Sequence, residues 1–314
     1  MKHELEVIHH PNIKNMKIFL LDVAYRAPHF HPETEILLVI KGEPWVVINH
    51  EKYQFQPGDI IILNGNVGHE IISREQCTTF LCLQLLPEYF EGYFPNMKHV
   101  IFSDHCSYRI KHYFLILTFL GLGKIYFQKP TYYEIQCASF VNIIYFDLLS
   151  KYAHYEISEK EYLLTCKKSK RLNRIINYIE EHYSEKINLQ DIAKQEGLSI
   201  SFLSHFIKDN INYSFQEYLT LVRFNHARQL ILTTNMKLVD VCYQCGFSDY
   251  RYLNQAFAKY CGCTPKEYKN QARSIIAVKQ GRRDSLESYY SDEETIKIID
   301  GAILEYKKLL VLQE

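Results

Sequence analysis

No stretch of this 314-residue chain is apolar for long enough to cross a membrane. The longest apolar run, Tyr113 to Gly123, falls well short of the roughly 20 residues a spanning helix needs, and Thr118 interrupts it. The first ten residues, MKHELEVIHH, lack the apolar core of a signal peptide. A cytoplasmic chain with no membrane partner is therefore expected. The nine cysteines are scattered singly, without the spacing of a disulfide framework, and are expected as thiols. Catalytic signatures are missing too. There is no nucleophile elbow, no phosphate-cradling loop and no dinucleotide fingerprint. The expectation is a non-enzyme that needs no cofactor.

Net charge is also absent, with 36 Lys+Arg against 36 Asp+Glu, but the balance is uneven along the chain. Residues 1–165 carry −4, residues 166–275 carry +6 and residues 276–314 carry −2. A basic block inside a neutral chain points to one region that meets a polyanion.

What the sequence does contain divides into α+β and all-α parts. Residues 1–100 show β-rich runs at Ile36–Ile40, Trp45–Ile48, Ile60–Leu63 and Thr79–Leu85. Turn signals at Lys41-Gly42, Pro57-Gly58-Asp59 and Asn64-Gly65-Asn66 separate them. This suits a small antiparallel barrel or sandwich. Two helices are expected at Tyr108–Leu122 and Thr131–Tyr152, split by Gly121, Gly123 and Pro130. The second is apolar most of the way round, as if packed on the sheet and on something else. The expected domains are 1–155, a linker at 156–168, a helical domain at 169–273, and a polar segment with a final helix at 274–314. In that last helix Ile296, Ile299, Ile303 and Leu310 share a face.

The helical region contains a repeat. Leu189–Tyr218 aligns with Leu238–Tyr268: Asp191 with Asp240, Gly197 with Gly246 and Ser199 with Ser248, then, after one inserted residue, Leu203 with Leu253 and Glu217 with Glu267. Each copy reads as a short helix stopped at glycine, then a second helix capped by Ser199 in one copy and by Ser248 or Asp249 in the other. That is the helix-turn-helix pattern. In the first copy Phe202, Leu203, Phe206 and Ile207 are read as inward, leaving Ser201, Ser204, His205 and Lys208 outward. In the second, Tyr252, Leu253, Ala256 and Phe257 are read as inward, leaving Tyr250, Arg251, Asn254 and Gln255 outward. With Ser199 and Ser248 at the helix starts, these are side chains that base edges and phosphates accept. A helix at Phe215–Thr233 joins the copies. Its Arg223 and Arg228 are expected to pair within the fold rather than touch phosphate.

The stretches IAKQEGLSISFLSHFIK, SFQEYLTLVRFNHARQLI and VCYQCGFSDYRYLNQAFAKYCGCTPKEY closely resemble the AraC/XylS family of bacterial transcription regulators. The resemblance implies a seven-helix unit that places two recognition helices in successive major grooves of double-stranded DNA. Two departures stand out: Asn212 where the family prefers Gly, and His205 where Arg or Gln is common. The N-terminal half is similar to the cupin-type sensory domain of such regulators, with His29-Phe30-His31-Pro32-Glu33-Thr34-Glu35 leading to Gly42, then Gly58-Asp59 leading to His69. Asn64 and Asn66 stand where Pro and Gly are usual.

By that resemblance His29, His31, Glu35 and His69 line the mouth of a ligand pocket, with Arg26, Trp45 and Tyr25 near it, and no metal is expected. The alternative is that the same three imidazoles and carboxylate hold a divalent metal. Cys242, Cys245, Cys261 and Cys263 suggest zinc by spacing, but their counterparts in the first copy, Ala193, Glu196, Ile211 and Tyr213, argue that the fold does not need them. The expected function is an effector-responsive, homodimeric DNA-binding regulator, with RNA polymerase as a partner if it activates. The alternatives are a metal-dependent cupin enzyme with an accessory DNA-binding region, or a regulator controlled by a protein partner.

Overall fold

A computed structural model describes residues 12–48, 51–73, 77–103, 112–211, 213–270 and 287–311. The described residues fall into two compact units. One runs to Lys167 and resumes at Glu287; the other begins at Lys168. No helix among the described residues is long and apolar enough to cross a membrane.

The first unit is built on antiparallel strands. Five of them, β1 (Met16–Val23), β3 (Thr34–Lys41), β6 (Ile60–Leu63), β8 (Thr78–Leu85) and β11 (Glu287–Tyr289), form a sheet in the order β11-β1-β8-β3-β6. A second sheet has the order β2-β7-β4-β5, from β2 (Tyr25–His29), β4 (Pro44–Ile48), β5 (Glu51–Gln54) and β7 (His69–Ser73). Side chains alternate across the five-stranded sheet, so both its faces are buried. Phe19, Leu21, Leu37 and Phe80 point to a core shared with Val46, Ile48 and Ile71 of the second sheet. Ile18, Leu20, Ile36 and Leu83 point the other way, to a core roofed by helices. The described strands thus make a sandwich of two sheets and do not close into the barrel named as one option from sequence.

Two helices on that roof are α1 (Tyr113–Gln128) and α2 (Tyr133–Lys151). The expected helix start at Tyr108 lies outside the described residues. Gly121 and Gly123 do not end α1, which stops at Lys129, in a left-handed conformation ahead of Pro130. Gly123 is instead a point of close approach: a Cβ there would meet Ile299 and Leu81 at 3.0 Å each. A short ribbon pairs β9 (Val100–Phe102) with β10 (His154–Glu156).

One expectation of organisation is overturned and another is made definite. Most of the segment read as a linker is helix, because α3 runs unbroken over Glu159–His182. The C-terminal segment is not a separate appendage. β11 adds an edge strand to β1, with Leu21 opposite Tyr289 and Val23 opposite Glu287. The last helix, α10 (Asp292–Val311), buries Thr295, Ile299, Ala302 and Tyr306, and its apolar side chains join the roof core. That stripe keeps Ile299 and Ile303 from the expected face but leaves Leu310 exposed. Tyr306 reaches the turn at Gly58, where a Cβ would sit 2.9 Å from its hydroxyl.

The second unit is all helix: the later part of α3, then α4 (Leu189–Glu196), α5 (Ile200–Ile211), α6 (Phe215–Thr233), α7 (Leu238–Gln244), α8 (Tyr250–Cys261) and helical residues 265–270, here α9. Its core gathers Ile175 and Ile179 of α3, Leu203 and Ile207 of α5, Leu219, Val222 and Phe224 of α6, and Leu253 and Phe257 of α8. Phe224 and Phe257 meet edge to face at 4.9 Å.

Candidate nucleic-acid interface and candidate metal cluster

Both copies of the repeat fold as helix, glycine turn, helix. Asn188 caps α4 by accepting from the Asp191 amide at 3.0 Å, and Gly197 ends it at φ 66°. The Ser199 hydroxyl oxygen accepts from the Phe202 amide at 3.2 Å and starts α5. In the second copy Gly246, at φ 78°, follows α7, and a Cβ there would lie 2.6 Å from the Tyr183 carbonyl oxygen, so both conformation and space call for glycine. Asp249, rather than Ser248, caps α8 by accepting from the Arg251 amide at 2.7 Å. Matching capping boxes open the helices that follow α5 and α8: Ser214 with Glu217, and Thr264 with Glu267.

Of the predicted contact residues, Ser199, Ser201, His205, Lys208, Ser248, Arg251 and Gln255 are exposed, and Ser204, Tyr250 and Asn254 are half-buried. Three aromatic side chains were misplaced by the sequence reading. Phe202 and Tyr252, which occupy equivalent positions, are each 50% exposed, and Phe206 is half-buried against Phe202 at 6.0 Å. Leu203 and Ile207, with Leu253, Ala256 and Phe257, suffice to fasten the two helices. Each recognition helix therefore shows one aromatic ring beside its polar groups. Arg223 turns inward to the carbonyl oxygens of Tyr183 and Glu185, at 2.7 and 2.8 Å, and so braces the turn after α3. Arg228 lies over the Phe224 ring at 5.9 Å.

The predicted pocket residues converge between the two sheets of the first unit. His29 ends β2 and His69 begins β7, paired in register; Glu35 is on β3; His31 is on the connection between β2 and β3. Their potential ligand atoms all lie within 4.8 Å of one another. His31, Glu35 and His69 are buried and His29 is half-buried. The His31 Nδ1 is 3.1 Å from the Glu33 carbonyl oxygen, and the His69 Nδ1 is 3.0 Å from that of Val67. A carbonyl only accepts, so both Nδ1 atoms carry a hydrogen, and the two Nε2 atoms are turned toward the carboxylate. Those atoms face the Glu35 Oε2 at 3.6 and 3.3 Å. The other oxygen, Oε1, accepts from the buried Gln84 amide at 2.8 Å.

Burial holds the His29 imidazole well below its ordinary pKa, with help from Arg26 and the neighbouring rings. Burial lowers His69 as well, against the opposing pull of Glu35. Burial alone would raise the Glu35 carboxyl, but His31 and His69 outweigh it and hold it well below the usual carboxylate range. Neutral His29 and His69 imidazoles beside an ionised Glu35 are the states in which such groups bind a metal. Of the other pocket candidates, Tyr25 donates to Glu70 at 2.8 Å and Trp45 lies under the Lys52 ammonium at 4.7 Å. Gln84 carried no sequence signal, since it sits 49 residues from Glu35 and meets it only across β3 and β8.

The four cysteines with zinc-like spacing do not form a cluster. Among the described residues the His29 group is the set of donors close enough to hold a metal ion. Burial pushes the Cys245 thiol up to about 12 and the Cys261 thiol up to about 11, against the thiolate that zinc requires.

Comparison with known proteins agrees with both halves of the geometry. A family model described as an AraC-like ligand binding domain matches residues 21–100, and a helix-turn-helix domain model matches residues 192–271. An HTH-type transcriptional regulator of Bacillus subtilis, YdeC, is 27% identical over 77% of this chain and 85% of its own length. The HTH-type transcriptional activator RhaS of Klebsiella pneumoniae is 21% identical over 79% of this chain and 89% of its own length. The chain spans 35% of the length of a Staphylococcus aureus regulator to which it is 23% identical. The DNA-binding domain of AdpA, solved in complex with a target DNA, is 21% identical, covers 35% of this chain and 98% of its own, and superposes with a TM-score of 0.33.

The chain belongs to the AraC family.

As an AraC-type regulator it carries a ligand-binding domain followed by a DNA-binding one. Its departures from the family pattern now have physical content. Asn64 makes two hydrogen bonds to the backbone of Phe102, at 2.9 and 3.0 Å, which proline could not make. Asn66 adopts φ 66°, a conformation asparagine tolerates better than most residues. Its amide donates to the His31 carbonyl at 2.7 Å. The turn therefore grips the segment that bears one of the cluster's imidazoles. His205 is exposed on α5, its Nδ1 2.8 Å from the Ser201 carbonyl, so its Nε2 is the atom turned to a partner. Asn212 lies outside the described residues.

Proposed function

We propose that this AraC-type regulator reads DNA with α5 and α8 and responds to a small ligand taken up at the histidine cluster. The observation that carries the reading is the duplicated glycine-turn geometry, which leaves Ser201, His205, Lys208, Arg251 and Gln255 exposed on the second helix of each copy. Arg251 and Gln255 supply the forked donors that guanine and adenine edges accept, while Ser199, Ser248 and Lys208 suit phosphate. Tyr250 and Asn254 flank them, and Ser204 adds a smaller contact. Phe202 and Tyr252 suit the apolar methyl of thymine. In the protein alone Arg251 leans on Asp249 at 3.1 Å, an exposed pair that costs little to break.

The regulator works as a homodimer. The outer face of α2 exposes Ile135 (68%), Ile143 (42%) and Phe146 (73%) around the smaller Ser139 and Asn142. Spacings of four, three and four residues put these on one stripe, which a second copy would cover. Phe146→Glu should turn a dimer into a monomer in sedimentation experiments.

The DNA claim is tested by mapping bound sites across a genome and measuring anisotropy on the recovered sequences. Selective binding at moderate salt supports it, and equal affinity for scrambled DNA removes it.

A further inference from the structure

The first copy of the repeat brings less to DNA than the second. Its second helix, α5, offers Ser201, Ser204, His205 and Lys208 and also exposes Asp209, while the guanidinium of Arg251 and the amides of Asn254 and Gln255 belong to α8. What α5 lacks stands beside it on α3. The seven residues Lys168–Arg174 hold four cations and no acid. Leu172, Ile175, Ile176 and Ile179 bury one side of this helix. Lys170, Arg171 and Arg174 share the opposite side, and Lys168 lies one turn before Arg171. Lys168, Lys170 and Arg174 are exposed, and Arg171 is half-buried.

One carboxylate faces these four cations. Glu196, the last residue of α4, accepts a fork of two hydrogen bonds from Arg174, at 2.8 and 2.7 Å, and the Arg171 Nε lies 3.6 Å from it. Among the described residues Lys168 and Lys170 have no acidic partner. Three positive charges are thus left without a counter-charge on about 9 Å of helix. Like charges three and four residues apart destabilise a helix. The stripe is a cost to the protein alone, and a row of anions would remove it. Its position is equally specific. Glu196 is followed by the Gly197 turn and by Ser199, whose hydroxyl opens α5. The forked pair therefore pins the cations of α3 next to the N-terminal end of α5, the end that a helix-turn-helix presents to the duplex. The feature belongs to the first copy, since Cys245 stands at the position of Glu196 in the second.

We propose that α3 is a third DNA-contacting element, in which Lys168 and Lys170 bind backbone phosphates at the half of the site read by α5, while Glu196 holds Arg171 and Arg174 in place beside them. This rests on the reading of α5 and α8 as recognition helices. A duplex carries one negative charge per roughly 1.7 Å of its axis, so this length of α3 faces about five. Contacts to phosphate position a protein without reading sequence. They supply affinity at the half-site where α5 has no guanidinium to offer.

The test uses the full chain and a DNA site recovered by genome-wide mapping, with affinity read by anisotropy from about 50 to 200 mM salt. The double variant Lys168→Ala, Lys170→Ala should make the fall of log affinity with log salt shallower by about two units, so that the loss across this range is about tenfold smaller. It should weaken bound and scrambled DNA alike. The control is Lys307→Ala, Lys308→Ala, which removes the same charge from two exposed positions of α10 and should keep the parent slope. Lys168→Arg, Lys170→Arg should keep it too. Methylphosphonate groups placed singly along the site then locate the contact. The parent chain should lose affinity at phosphates in the half where Arg251→Ala leaves base preference intact, and the alanine variant should be indifferent to the same groups. Its melting temperature should equal or exceed the parent's, because alanine favours helix and removes the repulsion.

An unchanged slope in the alanine variant, or an equal change in the α10 control, overturns the proposal and makes the stripe solvated charge. Phosphate sensitivity confined to the half read by α8 overturns its placement beside α5. A lower melting temperature, with a slope just as shallow in the arginine variant, makes the lysines structural and overturns the contact as well. A chain that prefers no sequence, yet whose slope still depends on Lys168 and Lys170, overturns the recognition-helix reading and leaves the α3 contact standing.

Discussion

Gly65 illustrates how much of the cluster's geometry rests on one small residue. A methyl group there would lie 2.3 Å from the Pro32 carbonyl oxygen, backbone against backbone, so the turn and the His31 segment must move apart. Gly65→Ala should therefore lower the melting temperature by several degrees, while Gly92→Ala, with nothing within 4 Å of its Cβ, should leave it unchanged. Equal melting temperatures would mean that this turn does not hold the His31 segment. At the other site, Arg251 is fully exposed on α8 whereas Ser204 is half-buried on α5. Arg251→Ala should cost about 1–3 kcal/mol of discrimination between bound and scrambled DNA, and Ser204→Ala a few tenths. Comparable losses would refute an uneven division of labour between the two recognition helices. The residues of both sites were legible because each kind of chemistry is local in sequence: four donors within 41 positions, and two helices at a fixed offset. Gln84, Asn64 and the exposed rings of Phe202 and Tyr252 were not. The first two act through hydrogen bonds to residues 49 and 38 positions away. The two rings sit at the edge of their helices' apolar stripe, where periodicity alone does not say which side wins.

Among the elements, those that sequence located best are those with two-ended punctuation. Of the repeat helices, α4, α5 and α8 open on side-chain caps, and glycines follow α4, α7 and α8; all four fall where expected. The misread elements had punctuation that went unused. Ser158 and Glu161 form a reciprocal capping box at the head of α3, and Ser291 and Glu294 form another at the head of α10. The first turns an expected linker into helix. The second starts a helix whose burial belongs to the sensory sandwich. Its destination was not readable from sequence, because its partner α1 lies some 170 residues away, as in the ion pair of Lys124 with Asp300. α10 is expected to be a structural part of that unit. Ile299 is fully buried against Gly123 and the roof core. Ile299→Ala should cost about 2–4 kcal/mol, read as a lower denaturation midpoint with an unchanged slope. A loss below about 0.5 kcal/mol would mark the helix as ornament. Ser291→Ala should cost about 1 kcal/mol through the lost cap.

For the whole molecule, charge separates the two tasks. The region from 166 to 275 carries +6 and the residues before it −4, so the polyanion and the ligand are met by stretches of opposite sign. Binding to DNA should then be dominated by release of counterions from phosphate, with log affinity falling along log salt by about 0.9 for each phosphate neutralised. Two recognition helices with six to ten phosphate contacts between them would lose about 10³–10⁵ in affinity between 50 and 200 mM salt. Lys208→Ala should make that slope shallower by about one unit and weaken all sequences alike, whereas Arg251→Ala should also relax preference among sequences. Glu35→Gln should leave that slope unchanged, because Glu35 is buried in the sandwich and contributes nothing to phosphate contact. If the slope instead follows the cluster variant and ignores Lys208, the basic block is a solvated surface, and the DNA contacts lie elsewhere.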